Sequence, residues 1–439
     1  MFLELLVDKM AETKLENKSK NKLVIIHPML NVWGGAERVI YDLFNRASKD
    51  ILTEMYSLFD NGDAKQMKNL FYATKEVPKM ANVFGYKVNP FNKKYVLKLA
   101  RMLAKRCTRD DKFVFTNFPG SWIIYEMIKI MPELRKAEIY FLSFEPDRIL
   151  WYDDYVKYNF MPEDVKSFKL WAFSRLCSKW RKIDKYVTLK VVRKTFTLSD
   201  YVAMQTRKVF NLSENLCKKE LEMYVDLSKF KVGDKWKSRQ ILNEKMKVGN
   251  KSLNLKKDDF VVLSLSRLEK SKGIFELYNV CKSILKNPKY KNVKVLVGGK
   301  GELYEEMLEK TKNNPNIHVL GFVPDELLDV LYSASNLFTF FGRKETGGPL
   351  TLLEGMYANN LILASNEAGP PELVENGKSG YLVSPNDVKN IKRLMLTMYG
   401  MFYNNRKEWD KMTKYSSKRV KDNFGFENCY EGFRTAVGI

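Results

Sequence analysis

The sequence FVVLSLSRLEKSKGI, residues 260–274, indicates the fold class of this chain most directly. It begins with a continuous apolar run, continues through a short loop that carries Arg267 and Lys272, and reaches Gly273, where an amphipathic segment starts. Continuous runs of Val and Leu are typical of parallel strands buried on both faces, and a helix that follows such a strand is the crossover to the next strand. These residues therefore predict one strand–loop–helix unit of an open parallel sheet.

The same pattern recurs along the chain in two groups. Helical periodicity between the strands, as in PDELLDVLYSA (residues 324–334), indicates crossover helices. A length of 439 residues is too great for one hydrophobic core. We therefore predict an α/β protein with two Rossmann-like domains. The predicted strands are KLVIIHP, KFVFTNF and AEIYFLSF, starting at Lys22, Lys112 and Ala137, and FVVLSLS, VKVLVGG, IHVLGF, NLFTFF and LILAS, starting at Phe260, Val293, Ile317, Asn336 and Leu361.

The join between the two groups is predicted in the lysine-rich, strand-poor segment 206–257, which contains the connector YVDLSKF (residues 224–230). The predicted organisation has four parts. They are an N-terminal extension (1–21), a first Rossmann-like domain (22–205), a second Rossmann-like domain (206–412), and C-terminal helices (413–439) that pack back toward the first domain.

Composition favours a globular protein with an anionic partner. The formal net charge of +23 favours contact with nucleic acid, an acidic membrane surface or a phosphorylated ligand, although a solvated lysine-rich surface has the same composition. Five scattered cysteines without a Cys-x-x-Cys pair indicate a reduced, cytoplasmic protein. The start of the chain lacks the features of a signal peptide and no apolar run is long enough to span a bilayer, so we expect a soluble or peripheral protein.

A basic segment rich in aromatic residues, KSFKLWAFSRLCSKWRKIDKYVTLKVVRK (residues 166–194), lies in the first half. Basic and aromatic side chains together suit an anionic membrane interface. The alternative is a helix that buries its rings in the core and leaves its lysines in solvent. RNA binding is the weakest interpretation, since no nucleic-acid module accompanies the charge. The residues predicted to contact a membrane or an acceptor are Lys169, Trp171, Arg175, Lys179, Trp180, Arg181 and Lys182.

Glycine turns follow several predicted strands, and a helix that starts at such a turn offers free N–H groups to a phosphate. Gly34 and Gly35 follow the first strand, and Gly299 lies in the turn after the strand that starts at Val293. Neither turn fits G-x-G-x-x-G, so a dinucleotide fingerprint is not supported. A tight turn without a ligand is an equal alternative for each.

Arg267 and Lys272 are two cations in the loop after one predicted strand. An Arg fork and a Lys point charge at a helix start are suited to clamp a diphosphate. Taken alone, this pair is better explained as two loop cations in solvent.

The segment GRKETGGPLTLLEGM, residues 342–356, combines a glycine loop, a helix start and two acids. Proline at position 349 suits a first helical turn. The N–H groups of Leu350 and Thr351 would then face a diphosphate held by the two cations, provided that both strand ends lie at the same crevice. Glu354, one turn further along, is placed to accept hydrogen bonds from a ribose diol.

Taken together, these motifs resemble family 4 of the retaining glycosyltransferases, which have the two-domain GT-B fold. The resemblance covers most of residues 22–400. It implies a nucleotide-sugar donor in the cleft between the domains, mostly on the second domain, and no metal cofactor. The sequence also lacks Asp-x-Asp, the metal-binding signature of the other large glycosyltransferase fold. The matching blocks are GGAER, YVDLSKF, SRLEKSKGI, LVGGKGE, VLGFVPDELLDVLYSASNLF, ETGGPLTLLEGM and AGPPELVENGKSGYLVSP.

The resemblance also implies roles for single residues. Arg267 and Lys272 would bind the diphosphate, Glu354 the ribose, Glu345 the sugar hydroxyls, and the loop at Phe322 the base. The transfer would retain the anomeric configuration, with the acceptor attacking on the leaving group's own face. The further residues predicted to bind the donor are Gly34, Gly35, Gly299, Gly348, Leu350 and Thr351.

Two departures from the family pattern leave alternatives open. Eight residues instead of seven separate Glu345 from Glu354. Either the pair Gly347-Gly348 absorbs the extra residue as a bulge, which we favour because glycine makes a bulge inexpensive, or Thr346 takes the place of the first acid.

The second departure lies in the first domain, where Phe144 occupies the position of a histidine found in relatives. Glu145 is therefore expected to take over a polar, catalytic role toward the donor sugar or the acceptor. Asn117, after the strand KFVFT, is a further candidate for this role.

The predicted function is the metal-independent transfer of a sugar from a nucleoside diphosphate to a hydroxyl acceptor, either lipid-linked or a glycan. The alternative is a catalytically inactive GT-B scaffold that binds a membrane or nucleic acid, supported by the two departures and opposed by the retention of the cations, the glycine turns and Glu354. A GT-B epimerase or nucleotide-sugar hydrolase is a third hypothesis, and the acid or base groups that such reactions need are not located in the sequence.

Overall fold

The structure is a computed structural model that describes residues 21–28, 30, 34–59, 69–74, 81–83, 86–88, 93–152, 167–227, 230–248, 251–343 and 348–439. The chain forms two compact units. The first comprises the chain up to residue 221 together with residues 430–439, and the second comprises residues 222–429. Each unit is built on its own parallel sheet, so the α/β class with two Rossmann-like domains is confirmed.

The first unit contains a seven-stranded parallel sheet in the order β3-β2-β1-β6-β7-β8-β9. Its strands are β1 (Leu23–Ile26), β2 (Thr53–Phe59), β3 (Leu70–Thr74), β6 (Lys112–Thr116), β7 (Glu138–Leu142), β8 (Lys194–Thr197) and β9 (Cys217–Lys219), with a separate hairpin of β4 (Ala81–Val83) and β5 (Tyr86–Val88). Its helices are α1 (Gly35–Asp50), α2 (Lys93–Arg106), α3 (Gly120–Ile130), α4 (Arg148–Trp151), α5 (Ser167–Lys190) and α6 (Asp200–Phe210), with 3-10 turns at Pro132–Lys136 and Glu214–Leu216.

The second unit contains a six-stranded parallel sheet in the order β14-β13-β12-β15-β16-β17. Its strands are β12 (Phe260–Leu265), β13 (Val293–Gly298), β14 (Ile317–Gly321), β15 (Leu337–Phe340), β16 (Leu361–Ser365) and β17 (Tyr381–Val383), with a hairpin of β10 (Lys247–Val248) and β11 (Lys251–Ser252). Its helices are α7 (Lys235–Lys245), α8 (Ile274–Leu285), α9 (Tyr304–Thr311), α10 (Asp325–Ala334), α11 (Leu350–Tyr357), α12 (Pro370–Leu373), α13 (Val388–Asn404) and α14 (Arg406–Asn423), with 3-10 turns at Lys270–Lys272 and Pro288–Tyr290; the final helix is α15 (Phe426–Val437).

The first unit extends further along the chain than the predicted domain boundary at residue 206. That position lies inside α6, and β9 after it pairs in parallel with β8. The chain therefore remains with the first sheet until residue 221. The region 413–439 is helical as expected, and its last ten residues, 430–439, count with the first unit.

The strands of the second sheet are buried because both of its faces are covered by helices. All six residues of β12 are buried, and the core on one face is filled by side chains from α8, α13 and the neighbouring strands. A strand buried on both faces needs apolar side chains in both directions, which explains the continuous run from which β12 was predicted.

In the second sheet, the strands that come after β14 in the chain are added on the opposite side of β12, so the strand order reverses between β12 and β15. From β12 the chain builds outward through β13 to β14, and β15 then pairs with the other side of β12. In open parallel sheets, ligands bind outside the carboxyl ends of the strands at such a switch point. The loops after β12 and β15 are therefore the expected position of a ligand in the second unit.

Candidate functional site

The loops that follow β12 and β15 lie against each other. Gly273, in the first loop, has a φ of +70°, and a Cβ atom added to it would lie 2.4 Å from the carbonyl oxygen of Phe341. In addition, the backbone N–H of Arg343 donates to the carbonyl oxygen of Ser271 over 2.8 Å. The loop that carries the two predicted cations and the loop that leads to α11 are thus in contact at the switch point.

The two predicted cations lie in the loop between β12 and α8. Arg267 is exposed, with 68% of its side chain accessible, and its guanidinium lies 2.7 Å from the Glu269 carboxylate. Lys272 is half-buried and ends the 3-10 turn, directly before Gly273. The same loop therefore carries one exposed and one half-buried cation.

The backbone of this loop is held by the turn after β13. Gly299 has a φ of +127°, and a Cβ atom there would lie only 1.8 Å from the carbonyl oxygen of Ser266. The N–H of Leu268 donates to the carbonyl oxygen of Lys300 over 2.9 Å. A residue with a side chain at position 299 would therefore displace the loop that carries the cations.

The predicted role of Gly299 in donor binding is refined by this geometry. Its own N–H donates to the carbonyl oxygen of Gly321 over 2.7 Å, so this amide is already used within the protein. The helix expected at this turn begins only at Tyr304. Gly299 thus serves the close approach of two backbones.

The N-terminus of α11 lies at the end of the loop after β15. Pro349 caps the helix, which begins at Leu350 as predicted to within one residue. The first N–H groups of a helix have no acceptor within it, so those of Leu350 and Thr351 point out of this end. Gly348, directly before the cap, has a φ of +75°, where a glycine is favoured. Free N–H groups at a helix start suit an anion, and the donor-binding role of Gly348, Leu350 and Thr351 stays a prediction.

Glu354 lies on α11 and is 7% exposed. Its Oε2 accepts a hydrogen bond from the hydroxyl of Tyr332 over 2.8 Å. Tyr332 is fully buried in α10 and its ring packs against Phe230 and Phe338. The carboxylate is therefore held by a rigid partner that the sequence did not identify.

We expect Tyr332→Phe to raise the KM for a nucleotide sugar about tenfold while changing kcat less, because it removes a hydrogen bond to a buried charged group but keeps the ring. Steady-state kinetics measure both constants, with the nucleotide sugar that gives the largest shift in the thermal-shift screen described under the proposed function. Tyr357→Phe, on the same helix as Glu354, is the matched control and should leave KM unchanged. Equal KM values for the two variants would contradict a role of Tyr332 in holding Glu354.

Arg343 is a second residue that sequence analysis missed. Its guanidinium lies 2.6 Å from the carboxylate of Glu276 in the first turn of α8 and 2.9 Å from Oδ1 of Asn386. Because its backbone also contacts Ser271, Arg343 ties the loop after β15 to the loop after β12.

Phe322 and Glu345 are the residues predicted to contact the base and the sugar of the donor. Phe322, directly after β14, is 65% exposed, so its ring is accessible to a planar group such as a base. Glu345, Thr346 and Gly347 lie outside the described residues, so the choice between a bulge and a replaced acid stays a prediction.

The glycine turn of the first unit is occupied by a side chain of its own helix. Gly34 caps α1, and its N–H donates to Oε2 of Glu37 over 3.0 Å. The other oxygen of Glu37 lies 3.7 Å from Nε2 of His27, whose Nδ1 is 2.7 Å from the Thr116 hydroxyl. A phosphate at Gly34 and Gly35 would have to replace this carboxylate.

Glu145, the predicted polar replacement for the family's histidine, lies in the loop after β7 and is half-buried. Asn117, after β6, is also half-buried, and its Oδ1 atom has no hydrogen-bond partner among the described residues. Both residues follow the carboxyl ends of strands in the first sheet, and their catalytic role stays a prediction.

The basic aromatic segment forms α5, and two of its predicted membrane contacts point inward. Trp180 packs with Phe118 and Trp122 against the core, with ring centroids 6.2 Å apart in both pairs. Arg181 donates to the carbonyl oxygen of Leu150. Trp180 is thus partly buried by ring packing and Arg181 is engaged by an internal hydrogen bond, so neither side chain is fully available to a membrane, and their predicted membrane role stays a prediction.

Other predicted membrane contacts on α5 are exposed, namely Arg175, Lys179 and Lys182. The side chains of Lys169 and Trp171 lie outside the described part. The inner face of the same helix carries Asp184, which accepts hydrogen bonds from Ser121 and Trp151. Burial raises the pKa of Asp184 to about 6, against the opposing effect of these two bonds.

No group of three or more His, Cys, Asp or Glu side chains in the described part of the chain is arranged to hold a metal ion. Of the helices that the structure describes, none is long and apolar enough to cross a bilayer.

Comparison with known proteins matches residues 247–419 to the family described as glycosyl transferases group 1. The capsular polysaccharide biosynthesis glycosyltransferase CapM of Staphylococcus aureus is 29% identical over 219 residues, which are 47% of this chain and 54% of CapM. The alpha-monoglucosyldiacylglycerol synthase of Acholeplasma laidlawii is 25% identical over 148 residues, which are 33% of this chain and 36% of the synthase. The chain spans about half the length of the curated relatives that it matches first.

The fold of the whole chain is similar to that of solved glycosyltransferase structures. HepE of Anabaena, solved as a complex with UDP and glucose, superposes with a TM-score of 0.65 at 15% identity, over 95% of this chain and 100% of HepE. This identity is low, so the similarity concerns the fold. The chain therefore has the GT-B fold, and its residues 247–419 match the group 1 glycosyl transferases.

Proposed function

We propose that this chain is a metal-independent glycosyltransferase of family 4, which moves a sugar from a nucleoside diphosphate sugar to a hydroxyl acceptor with retention of configuration. The observation that supports this most is the contact between the loops after β12 and β15, since one carries Arg267 and Lys272 and the other leads to the start of α11. Two cations and a helix N-terminus suit a diphosphate, which carries negative charge in the substrate and gains more as it leaves.

In the proposed reaction the acceptor hydroxyl attacks the anomeric carbon while the bond between that carbon and the diphosphate oxygen breaks. The electron pair of the broken bond goes to the diphosphate, and the acceptor proton is transferred to a phosphate oxygen on the same face of the sugar. Lys272, Arg267 and the amides of α11 would stabilise the leaving group, and Glu354 would hold the ribose. Such a reaction depends on positioning and charge more than on a strong nucleophile.

The acceptor is proposed to bind at the carboxyl ends of the strands of the first unit, where Glu145 and Asn117 lie. A lipid-linked acceptor is supported by the exposed basic residues of α5 and by the name of the Acholeplasma relative, which describes the synthesis of a glycolipid. A glycan acceptor is supported by the name of the Staphylococcus relative.

A thermal-shift screen of UDP-, GDP- and dTDP-sugars tests this function, because a ligand that binds the folded state raises its unfolding temperature. We expect one base and one sugar to give the largest shift and that donor to be turned over without added metal. If no nucleotide sugar shifts the protein or is turned over, the inactive scaffold would be the better description.

A further inference from the structure

The excess of positive charge on the first unit is concentrated on two helices. Helix α2 carries six basic residues and no acid, and α5 carries seven basic residues and one acid, Asp184, which is buried. Exposed cations on these helices include Lys98 and Arg101 on α2 and Lys179 and Lys182 on α5. None of these four forms an ion pair with a carboxylate of the described residues. Their charge is therefore available to an external anion.

Other surface helices pair their charges locally. On α1, Arg46 lies 2.7 Å from Asp50, and on α14, Arg406 lies 3.0 Å from Asp410. Such pairs at spacing i,i+4 are the usual arrangement on a solvated helix. Because α1 and α14 of the same chain pair their cations with acids, the net charge of the chain does not explain why α2 and the outer face of α5 lack acids.

These two helices belong to one continuous face. Helix α3 packs between α2 and α5, and the three helices cover the same core on one side of the first sheet. The Tyr125 ring on α3 contacts the Tyr186 ring on α5, with centroids 5.8 Å apart, and Nζ of Lys129 lies 4.1 Å from the Tyr125 ring. We call the outer surface of α2, α3 and α5 the basic face.

Exposed apolar side chains lie among the cations of this face. Ile130 at the end of α3, and Tyr186 and Leu189 on α5, are exposed by 44%, 36% and 42% respectively. Aliphatic groups gain from burial in the interface of a bilayer, and aromatic and basic groups favour the headgroup level. A nucleic acid would use the cations but offers no comparable apolar medium for Ile130 and Leu189.

We propose that the basic face of α2, α3 and α5 is a docking surface for a bilayer that contains anionic lipids. Cations on α2 and α5 would bind lipid phosphates on both sides of α3, and Ile130, Tyr186 and Leu189 would enter the headgroup region. The proposal rests on the proposed function only for the identity of the lipid-linked acceptor. Binding to the bilayer itself requires no nucleotide sugar.

Sedimentation of the full chain with vesicles tests the proposal without any donor. The protein should bind phosphatidylcholine vesicles that contain phosphatidylglycerol and should not bind pure phosphatidylcholine vesicles. The double variants Lys98→Glu/Arg101→Glu and Lys179→Glu/Lys182→Glu should each lower the affinity at least about tenfold, since each reverses two charges near the surface. Leu189→Ser should reduce the fraction that remains bound at high salt.

The matched control is Lys414→Glu/Lys418→Glu, the same charge change on exposed positions of α14 in the second unit. Its binding to vesicles should equal that of the unaltered chain. The proposal would be overturned if the control and the variants of the basic face lost the same affinity for anionic vesicles. It would also be overturned if the unaltered chain bound a short RNA tightly and did not bind anionic vesicles. The donor-induced thermal shift of each variant separates this outcome from failure of the proposed function, because none of the substituted residues is among those predicted to bind the donor.

Discussion

Lys272→Ala is expected to lower the kcat for turnover of the nucleotide sugar by about 100- to 1000-fold. Lys272 ends a 3-10 turn whose backbone is fixed on both sides, by the hydrogen bond from its N–H to the carbonyl oxygen of Glu269 and by the contact of Gly273 with Phe341. Because the backbone is fixed and the side chain is half-buried, we expect this cation to need less reorientation than an exposed lysine when charge develops on the departing diphosphate. Its loss should therefore affect the transition state more than the bound donor.

The chain offers a close control for this experiment. Lys270 lies in the same 3-10 turn and is exposed, so Lys270→Ala removes an equal charge two residues away. Turnover of the donor, measured as released nucleoside diphosphate with and without acceptor, should change less than about twofold in this control, as is usual for an exposed charge. If both alanine variants lose activity equally, the loss comes from the reduced positive charge of the loop, and Lys272 does not stabilise the leaving group in particular.

Most of the second sheet was predictable because its strands are chemically uniform. The apolar runs of β12, β13 and β16 are long enough to be recognised from single-sequence patterns. The strand β2 was missed because Thr53, Glu54 and Ser57 interrupt it. Glu54 is tolerated inside the first unit because it accepts hydrogen bonds from Lys22 and Arg106, residues that lie far from it in sequence.

The sequence identified the candidate donor-binding residues but not the residues that hold them in place. Arg267, Lys272 and Glu354 were chosen from local motifs. Arg267 and Lys272 lie in the loop after β12, Glu354 lies on α11, and their roles toward a donor stay predictions. The groups that hold them in place were not predictable. The partner of Arg343 is Glu276, 67 residues away, and Tyr332 lies 22 residues from Glu354, so only the folded chain brings these pairs together.

The sequence also did not predict which side chains of α5 face the core. Basic residues occur on nearly every turn of this helix, so its charge pattern does not distinguish the buried face from the exposed one. Arg181 lies on the inner face because the carbonyl of Leu150 and the ring of Trp151 accept its guanidinium. Trp180 lies there because two other aromatic rings surround it.

Gly299→Ala is expected to reduce the free energy of unfolding of the second unit by about 3 kcal/mol or more. The backbone at position 299 has a φ of +127°, which residues with a side chain rarely adopt, and the added Cβ would lie 1.8 Å from the carbonyl oxygen of Ser266. A backbone atom cannot rotate away as a side chain can, so the loop 266–268 has to move. Urea unfolding of the purified protein measures the loss.

Gly400→Ala is the control with the opposite expected sign. Gly400 lies inside α13, and a Cβ atom added there meets no atom within 4 Å, so alanine should stabilise the helix by roughly 0.5–1 kcal/mol. Because Ser266 directly precedes Arg267, the displaced loop of the Gly299 variant should also lose the thermal shift given by the donor, whereas the Gly400 variant should keep it. Two variants of similar stability would show that the turn after β13 does not constrain the loop with the cations, and the preorganisation assigned to Lys272 would then lack its structural basis.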